Sequence, residues 1–485
     1  MKISPQAMNW MGARELLAMW RPVSEAGADQ ARQWPVLSEA AWVEERRCCL
    51  LLDEALEGGL VDGSVLGDLL RELPSLAGAL ASLQLGGGAE MALVFRIKQV
   101  LYAVLELVPK LAAVVGYPLM EEAPVREAYK VLHAAGDPAA RFVLSAGRSG
   151  LLGEARAEAV AGQRALLQAR GAGGSGAELE TLQRSHEQLR QRLLEVEGQV
   201  LTSIADALRP HAASIVEASA WVTELDLRLS KCLLRRAWNG CWPEPAETLA
   251  VAEGWHPVVA AGLAGRGGGF VAQSFALPAG VSMLTGANMG GKSVALQLAG
   301  LVLLCGASGL PVPARSATFM RVDFVEVLAG QEQGSRHGLS SFGSEVMAWR
   351  SLLERSGSGF VLADEPARTT SPADGAALLE GLISAVAARG WHGWFATHFG
   401  EVGQGVAASA WAVRGLREIA PEEGAASEGS LAALESLMDY RLLPADGAAA
   451  SDALRVAAQL GLGDEVLSIA RRVRASVESG SNRSS

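Results

Sequence analysis

From the N-terminus to about residue 240, apolar residues recur at helical spacing, as at Leu66, Leu69, Leu70 and Leu73, in a background rich in Ala, Leu, Glu, Arg and Gln. This periodicity predicts an almost wholly helical region. Its clearest interruption is Arg170-Gly-Ala-Gly-Gly-Ser-Gly176, between the helical patterns Leu151–Ala169 and Ala177–Leu208. Two helices joined by a short turn, a helical arm, are expected there. After Trp242-Pro243-Glu244-Pro245 the texture changes. Short β-like runs at Phe270–Leu277, Val281–Thr285, Phe324–Ala329, Phe360–Ala363 and Trp394–Thr397 alternate with helical patterns. Strand–helix alternation predicts an α/β domain with a largely parallel sheet. The stretch Ala420–Ala433 reads as a loop, Ser451–Val477 as a final helical segment, and Glu478–Ser485 as a polar, disordered tail. The expected organisation is multidomain: an all-α region over 1–242, an α/β domain over 243–425, a C-terminal helical segment over 426–477 and a tail over 478–485.

Composition narrows the function classes. At 485 residues the chain is too long for one compact core. A net charge of -11 argues against a surface generally coated by nucleic acid, while leaving a local basic groove open. In the arm, Arg184, Arg190 and Arg192 alternate with Glu187, Glu195 and Glu197, the pattern of solvated helix faces with local ion pairs. The five cysteines (Cys48, Cys49, Cys232, Cys241 and Cys305) are odd in number, scattered and without a CxxC pair. Neither a disulfide framework nor a zinc site is expected, and a reducing, cytoplasmic setting fits. No membrane segment is expected either. The apolar stretch Leu93–Leu119 is interrupted by Arg96, Lys98, Glu106 and Lys110, Val294–Leu310 is short, and the opening residues lack the apolar run of a signal peptide.

The chemistry concentrates after residue 280. Between an apolar run and an apolar helical pattern lies GxxxxGKS, from Gly286 to Ser293. The segment Gly286, Ala287, Asn288, Met289, Gly290 and Gly291 is suited to turning backbone N–H groups inward around phosphate oxygens. Lys292 supplies a positive charge to the β- and γ-phosphates, Ser293 an oxygen to Mg²⁺, and the following helix its positive dipole end. The ligands expected are ATP and Mg²⁺. Further on, the apolar run Phe360-Val-Leu-Ala ends in Asp364 and Glu365, the Walker B arrangement. Asp364 is placed to hold the metal, Glu365 to orient or activate the attacking water. A third run, Phe395-Ala-Thr, ends in His398, which is suited to hydrogen-bonding the γ-phosphate or the lytic water. Gly338-Leu-Ser-Ser-Phe-Gly-Ser-Glu-Val346 reads, by chemistry alone, as a Ser-rich loop running into a helix.

Taken in order, TGANMGGKS, LSSFGSEV, DEPARTTSPADG and FATHF resemble the motif set of the MutS ATPase family. His256-Pro257 resembles the family's HP element, and Phe270 in FVAQ the aromatic that stacks on adenine. Leu16–Pro22, the helices through Leu119 and Ala218–Ala237 resemble its helical core and lever, and Asp439–Arg472 its C-terminal dimerisation helices. The resemblance implies an all-α N-terminal core/lever domain, an ABC-type P-loop ATPase domain and C-terminal dimerisation helices. It implies a dimer, homomeric or with a related subunit, in which Ser340 and Ser341 reach the partner's γ-phosphate and Arg368, Thr370 and Ser371 couple the two sites. Three departures stand out. The helical core begins almost at residue 1, without mismatch-reading or connector domains. The DNA-gripping clamp is reduced to the Gly171–Gly176 turn. The usual glycines after Walker B are replaced by Ala367 and Thr369, with Pro366 following Glu365. GLSSFGSE, DYRLLP and DALRVAAQLGLGDEVLSIAR resemble one branch, the MutS-like ATPase subunits of reactivases for adenosylcobalamin-dependent lysine 5,6-aminomutase. A nucleotide-driven remodeller of a protein partner, such as that aminomutase, is therefore expected. The alternatives are a DNA-binding ATPase acting in repair or recombination without mismatch reading, and a nucleotide-binding regulator with negligible turnover.

Overall fold

The computed structural model describes residues 1–33, 36–71, 73–76, 90–134, 137–286, 290–329, 341–399, 402–403, 405–416, 437–445 and 453–481, the side chains of 341 and 475–481 excepted. The chain divides into two compact units. One comprises Met1–Met19, Val36–Trp42 and Leu234–Ser485; the other comprises Trp20–Pro35 and Val43–Leu233.

The first unit is built on a seven-stranded sheet of β1 (Lys2–Ile3), β7 (Phe324–Ala329), β8 (Gly359–Asp364), β9 (His392–Ala396), β5 (Val281–Thr285), β10 (Ser409–Leu416) and β11 (Met438–Pro444), in that spatial order. Every pairing is parallel except β10 with β11. The central strands β5, β8 and β9 are nearly continuously buried, as expected for a parallel sheet covered on both faces. On one face Trp349 and Leu352 of the helix Ser341–Leu353, and Leu379, Leu382, Ile383 and Val386 of the helix Pro372–Ala388, pack on Val361, Ala363 and Phe395. The helix Lys292–Ala307 is apolar nearly all round and buried along almost its whole length. A smaller sheet of β2 (Glu244–Pro245), β6 (Ser316–Phe319), β3 (Leu249–Gly254) and β4 (Gln273–Leu277) completes the strands.

Three features of this unit differ from the sequence pattern. The opening residues, within a region that reads as helical, contribute β1, which pairs with β7 through Lys2 opposite Phe324. The expected run Phe270–Leu277 becomes a strand only from Gln273. Met438–Pro444, expected inside the C-terminal helical segment, is instead the edge strand β11. Its Asp439 is buried and held by Arg414 and Arg441, pins that a helical periodicity does not reveal. The helices Ala453–Gln459 and Asp464–Ser481 follow it, the second running past Val477 into the stretch expected as a disordered tail. The expected loop Ala420–Ala433 lies outside the described residues. His256 of the HP element caps the helix Pro257–Ala264: its Nδ1 accepts from the Val259 N–H and its Nε2 donates to the Met11 carbonyl, which fixes the tautomer.

The second unit is helical. A long buried stripe lies on Met91–Leu111, where Val94, Ile97, Val100, Leu101, Val104 and Leu107 are buried. Lys98 is buried among them, and its ammonium donates to the carbonyls of Pro138 and Arg141 at 3.0 and 2.7 Å. Such pairing is what makes a buried cation tolerable, although burial still pushes its pKa down. Buried Asp226 accepts from the Val23 and Ser24 N–H groups and the Ser24 hydroxyl. Glu45 receives both Arg228 at 2.8 Å and Lys231 at 2.6 Å. The helices Gly150–Gly171 and Gly176–Leu208 form an arm. Gly173 takes φ +73° in the turn, the Gly174 N–H bonds the Ala169 carbonyl, and Ser175 caps the second helix. Arg156–Glu197 and Arg192–Glu158, both at 2.9 Å, pair the two helices across the arm.

Candidate nucleotide-binding site

Parallel pairing brings the carboxyl ends of β8, β9 and β5 to one edge of the sheet, at one level: Ala396 stands opposite Asp364 on one side and opposite Leu284 on the other. In an open α/β sheet this edge is where ligands sit. The three sequence runs ending in Gly286, Asp364–Glu365 and His398 therefore converge because their strands are neighbours.

The loop after β5 is shaped by two glycines. Gly286 has φ +130°, and a Cβ added there would stand 3.1 Å from the Val413 Cβ and 3.2 Å from its backbone N and O. Gly291 has φ +87° and directly precedes the helix at Lys292, with no side chain capping that helix. A Cβ on Gly291 would meet the Tyr440 ring at 3.4 Å, so β11 supplies an aromatic wall beside the loop. Gly290 lies between; Ala287, Asn288 and Met289 are outside the described residues. Lys292 is 5% exposed at its side chain, donates to the Gly286 carbonyl at 2.9 Å and lies 3.4 Å from Glu365 Oε1. The Ser293 hydroxyl donates to Asp364 Oδ2 at 2.6 Å. Burial raises the Asp364 carboxyl above the usual carboxylate range; the Ser293 hydrogen bond opposes this, the neighbouring Glu365 carboxylate adds to it, and Lys292 offsets part of it.

After β8 the backbone turns sharply. Glu365 has φ +49° and Ala367 φ +64°, both in the left-handed region that costs a non-glycine residue about 1 kcal/mol or more. The Glu365 N–H bonds the Ala396 carbonyl at 3.0 Å. The Ala367 N–H donates to Glu345 Oε1 at 2.7 Å. Glu365 faces Lys292 on one side and, at 3.4 Å, exposed Arg368 on the other. His398 follows β9, and its side chain is exposed with the ring 4.2 Å from that of Phe399. The Thr397 N–H beside it bonds the Leu284 carbonyl, tying the ends of β9 and β5.

Phe270 is half-buried in the segment before β4. That segment is tied to β11, because Gln273 Nε2 donates to the carbonyls of Val271 and Tyr440. Ser340 and the side chain of Ser341 lie outside the described residues; the backbone of Ser341 opens the helix Ser341–Leu353. Val413, Tyr440 and Glu345 adjoin the site without any sequence signal as site residues, except that Glu345 stands inside the LSSFGSEV motif.

The donor set at Ser293 and Asp364 suits Mg²⁺, a hard cation that takes one or two protein oxygens and completes its shell with phosphate and water. Asp364 and Glu365 are adjacent carboxylates at the strand end, faced by buried Lys292 and exposed Arg368, and a divalent cation would relieve their mutual repulsion. Among the described residues no group of three or more His, Cys, Asp or Glu is arranged to hold a metal without such help.

Strand order, glycine loop and the Lys292–Ser293–Asp364 contacts together have the form of an α/β P-loop nucleotide-binding domain. The family comparison agrees: residues 282–478 match the family described as MutS domain V. The chain is similar to a DNA mismatch repair protein MutS of Granulibacter bethesdensis, 34% identical over 242 residues that cover 48% of this chain and 26% of that protein. It is also similar to an Endonuclease MutS2 of Pelotomaculum thermopropionicum, 29% identical over 281 residues that cover 56% of this chain and 33% of that protein. A second Endonuclease MutS2, of Clostridium perfringens, is 33% identical over 195 residues, covering 39% and 23%. Residues 282–478 thus resemble MutS domain V, and the similarity to these MutS and MutS2 proteins covers 39% to 56% of this chain. The chain spans about a quarter to a third of the length of these relatives. Among the described residues no helix is long and apolar enough to cross a membrane.

Proposed function

We infer that this chain binds ATP with Mg²⁺ at the loop after β5 and hydrolyses it, using the cycle as a conformational switch. The carrying observation is the cross-strand pairing of the Ser293 hydroxyl with Asp364, beside buried Lys292 held 3.4 Å from Glu365. The backbone N–H groups of Gly290 and Gly291 and the uncapped start of the helix at Lys292 receive the phosphates in this reading. Lys292 exchanges its Gly286 carbonyl for phosphate oxygens, which frees Glu365 to accept a proton from, or orient, the attacking water. Ser293 and Asp364 hold Mg²⁺, which when bound neutralises charge developing on the phosphates. His398 serves as a γ-phosphate contact and Phe270 as the adenine platform.

The assembly in this reading is a dimer, homomeric or with a related subunit, in which Ser340 and Ser341 complete the partner's site. Its target is a protein, and the resemblance to reactivase ATPases makes an adenosylcobalamin-dependent aminomutase the named candidate. The charge pattern of the arm supports a protein target. Arg156, Arg184, Arg190 and Arg192 are each paired with a glutamate, so the arm offers few free cations to displace counterions from a phosphate backbone. The second reading, action on DNA in repair or recombination, is kept because the relatives named above are a DNA mismatch repair protein and an endonuclease.

Steady-state ATP hydrolysis by the full chain, with and without duplex DNA at low and physiological salt, separates the two. A rate indifferent to DNA is expected for the protein remodeller. A DNA-stimulated rate that collapses with added salt would transfer the assignment to the second reading.

A further inference from the structure

The helix that follows the Ser-rich motif and the strained turn that carries Glu365 are joined by one side chain. Glu345, half-buried in the first turns of Ser341–Leu353, accepts the Ala367 N–H at 2.7 Å. Three facts make this contact more than incidental packing. Ala367 is fully buried with φ +64°, so its backbone is strained and its N–H is out of reach of water. The carboxylate is itself partly desolvated: burial raises its pKa, against the opposing Ala367 and Thr369 hydrogen bonds. Such a group is retained where it satisfies a backbone donor that would otherwise be orphaned. Finally, Ala367 lies two residues beyond Glu365, whose own φ is +49°, so the two left-handed residues bracket Pro366 in one short turn.

We propose that Glu345 is a positioning residue that latches the Glu365–Ala367 turn in its strained conformation, and so ties the orientation of the Glu365 carboxylate to the position of the helix Ser341–Leu353. This rests on the proposed function, in which Glu365 acts on water and the residues just before Glu345 contact the partner's nucleotide. It supplies a physical link between those two events. When the helix start shifts, the latch carries the shift to the Ala367 amide, and Glu365 turns with it. Glu345 touches neither nucleotide nor water in this account.

Two variants, Glu345→Ala and Glu345→Gln, test the latch. The glutamine carbonyl still accepts the Ala367 N–H without the charge; alanine removes the acceptor. Amide hydrogen exchange of the peptide covering 364–371, measured without nucleotide, is expected to quicken about tenfold or more in Glu345→Ala and to stay within about threefold of wild type in Glu345→Gln. This readout needs no ATP hydrolysis, so it stands or falls apart from the proposed function. With ATP, Glu345→Ala is expected to lower kcat about tenfold while the affinity for ATP stays within about twofold, a split that simple loss of folding would not give. Placing glycine at the strained position sharpens the test. In the double variant Glu345→Ala, Ala367→Gly the turn no longer needs holding against a Cβ, and most of the lost kcat is expected to return. Unchanged exchange in Glu345→Ala would overturn the latch. So would equal kcat losses in the alanine and glutamine variants with no recovery from Ala367→Gly. If wild type and Glu365→Gln hydrolyse ATP equally while exchange quickens as expected, the hydrolytic reading fails and the latch stands as a structural contact.

Discussion

The turns after β5 and β8 meet the same geometric demand in opposite ways. Both leave a central parallel strand with positive φ angles at the edge where ligands sit. The first uses glycine at Gly286, where a Cβ would crowd β10, and at Gly291, where φ is +87°. The second uses Glu365 and Ala367, which carry Cβ atoms in the same region of backbone space. The difference follows from what each turn does in the proposed function. The first must leave room for phosphates to approach the backbone, and only the absence of a side chain achieves that. The second must deliver a carboxylate, so its strained residue cannot be glycine. The strain is held instead by the Ala396 carbonyl on the Glu365 N–H and by Glu345 on the Ala367 N–H.

Removing Lys292 is the harshest way to break the comparison. Lys292→Ala takes away a buried cation that faces Glu365, and ATP affinity measured by calorimetry is expected to fall about 100-fold or more. Near-wild-type affinity would mean that phosphate is not bound at this loop. Next in size is a pair of opposite exchanges. Gly286→Ala forces a Cβ against the β10 backbone at φ +130° and is expected to cost about 3 kcal/mol in urea unfolding. Ala367→Gly trades relief of strain against loss of a buried methyl and is expected to change stability by less than about 1 kcal/mol. Equal costs for the two would erase the distinction between an open turn and a latched one.

The smallest effect concerns pH. The Asp364 carboxyl has a raised pKa without metal, so the protonated form is favoured by the fold. Its contribution to stability is full at acid pH, below the unfolded-state pKa, and is lost as pH rises through the folded pKa. Mg²⁺ binding needs the ionised form and runs the other way. The rise in melting temperature given by ATP with Mg²⁺ is therefore expected to shrink as pH falls from neutral, starting at higher pH than an ordinary aspartate would give. A shift independent of pH down to the ordinary carboxylate range would remove Asp364 from the metal site.

Much of the first turn was legible in the sequence because its parts are contiguous: an apolar run, a glycine pattern and a helix within a few residues. The second was legible only in part. Asp364 and Glu365 could be read from the strand that ends in them, and parallel pairing makes their approach to Ser293 follow. The latch could not, because Glu345 and Ala367 are brought together by the packing of the helix Ser341–Leu353 near the sheet. The edge strands were the least legible. β1 is two residues long, and β11 owes its place to the β10 ladder and to the Arg414–Asp439–Arg441 pins, none of which a local period encodes. The arm was plain, since long helices with a glycine turn declare themselves locally.

The central claim is that this site hydrolyses ATP through Glu365. The most direct measurement is turnover by wild type and Glu365→Gln in parallel, with ATP·Mg affinity determined for both. The account predicts steady turnover by wild type, a loss of about 100-fold or more in the variant, and affinities that agree within about threefold. Equal turnover by the two proteins would contradict it.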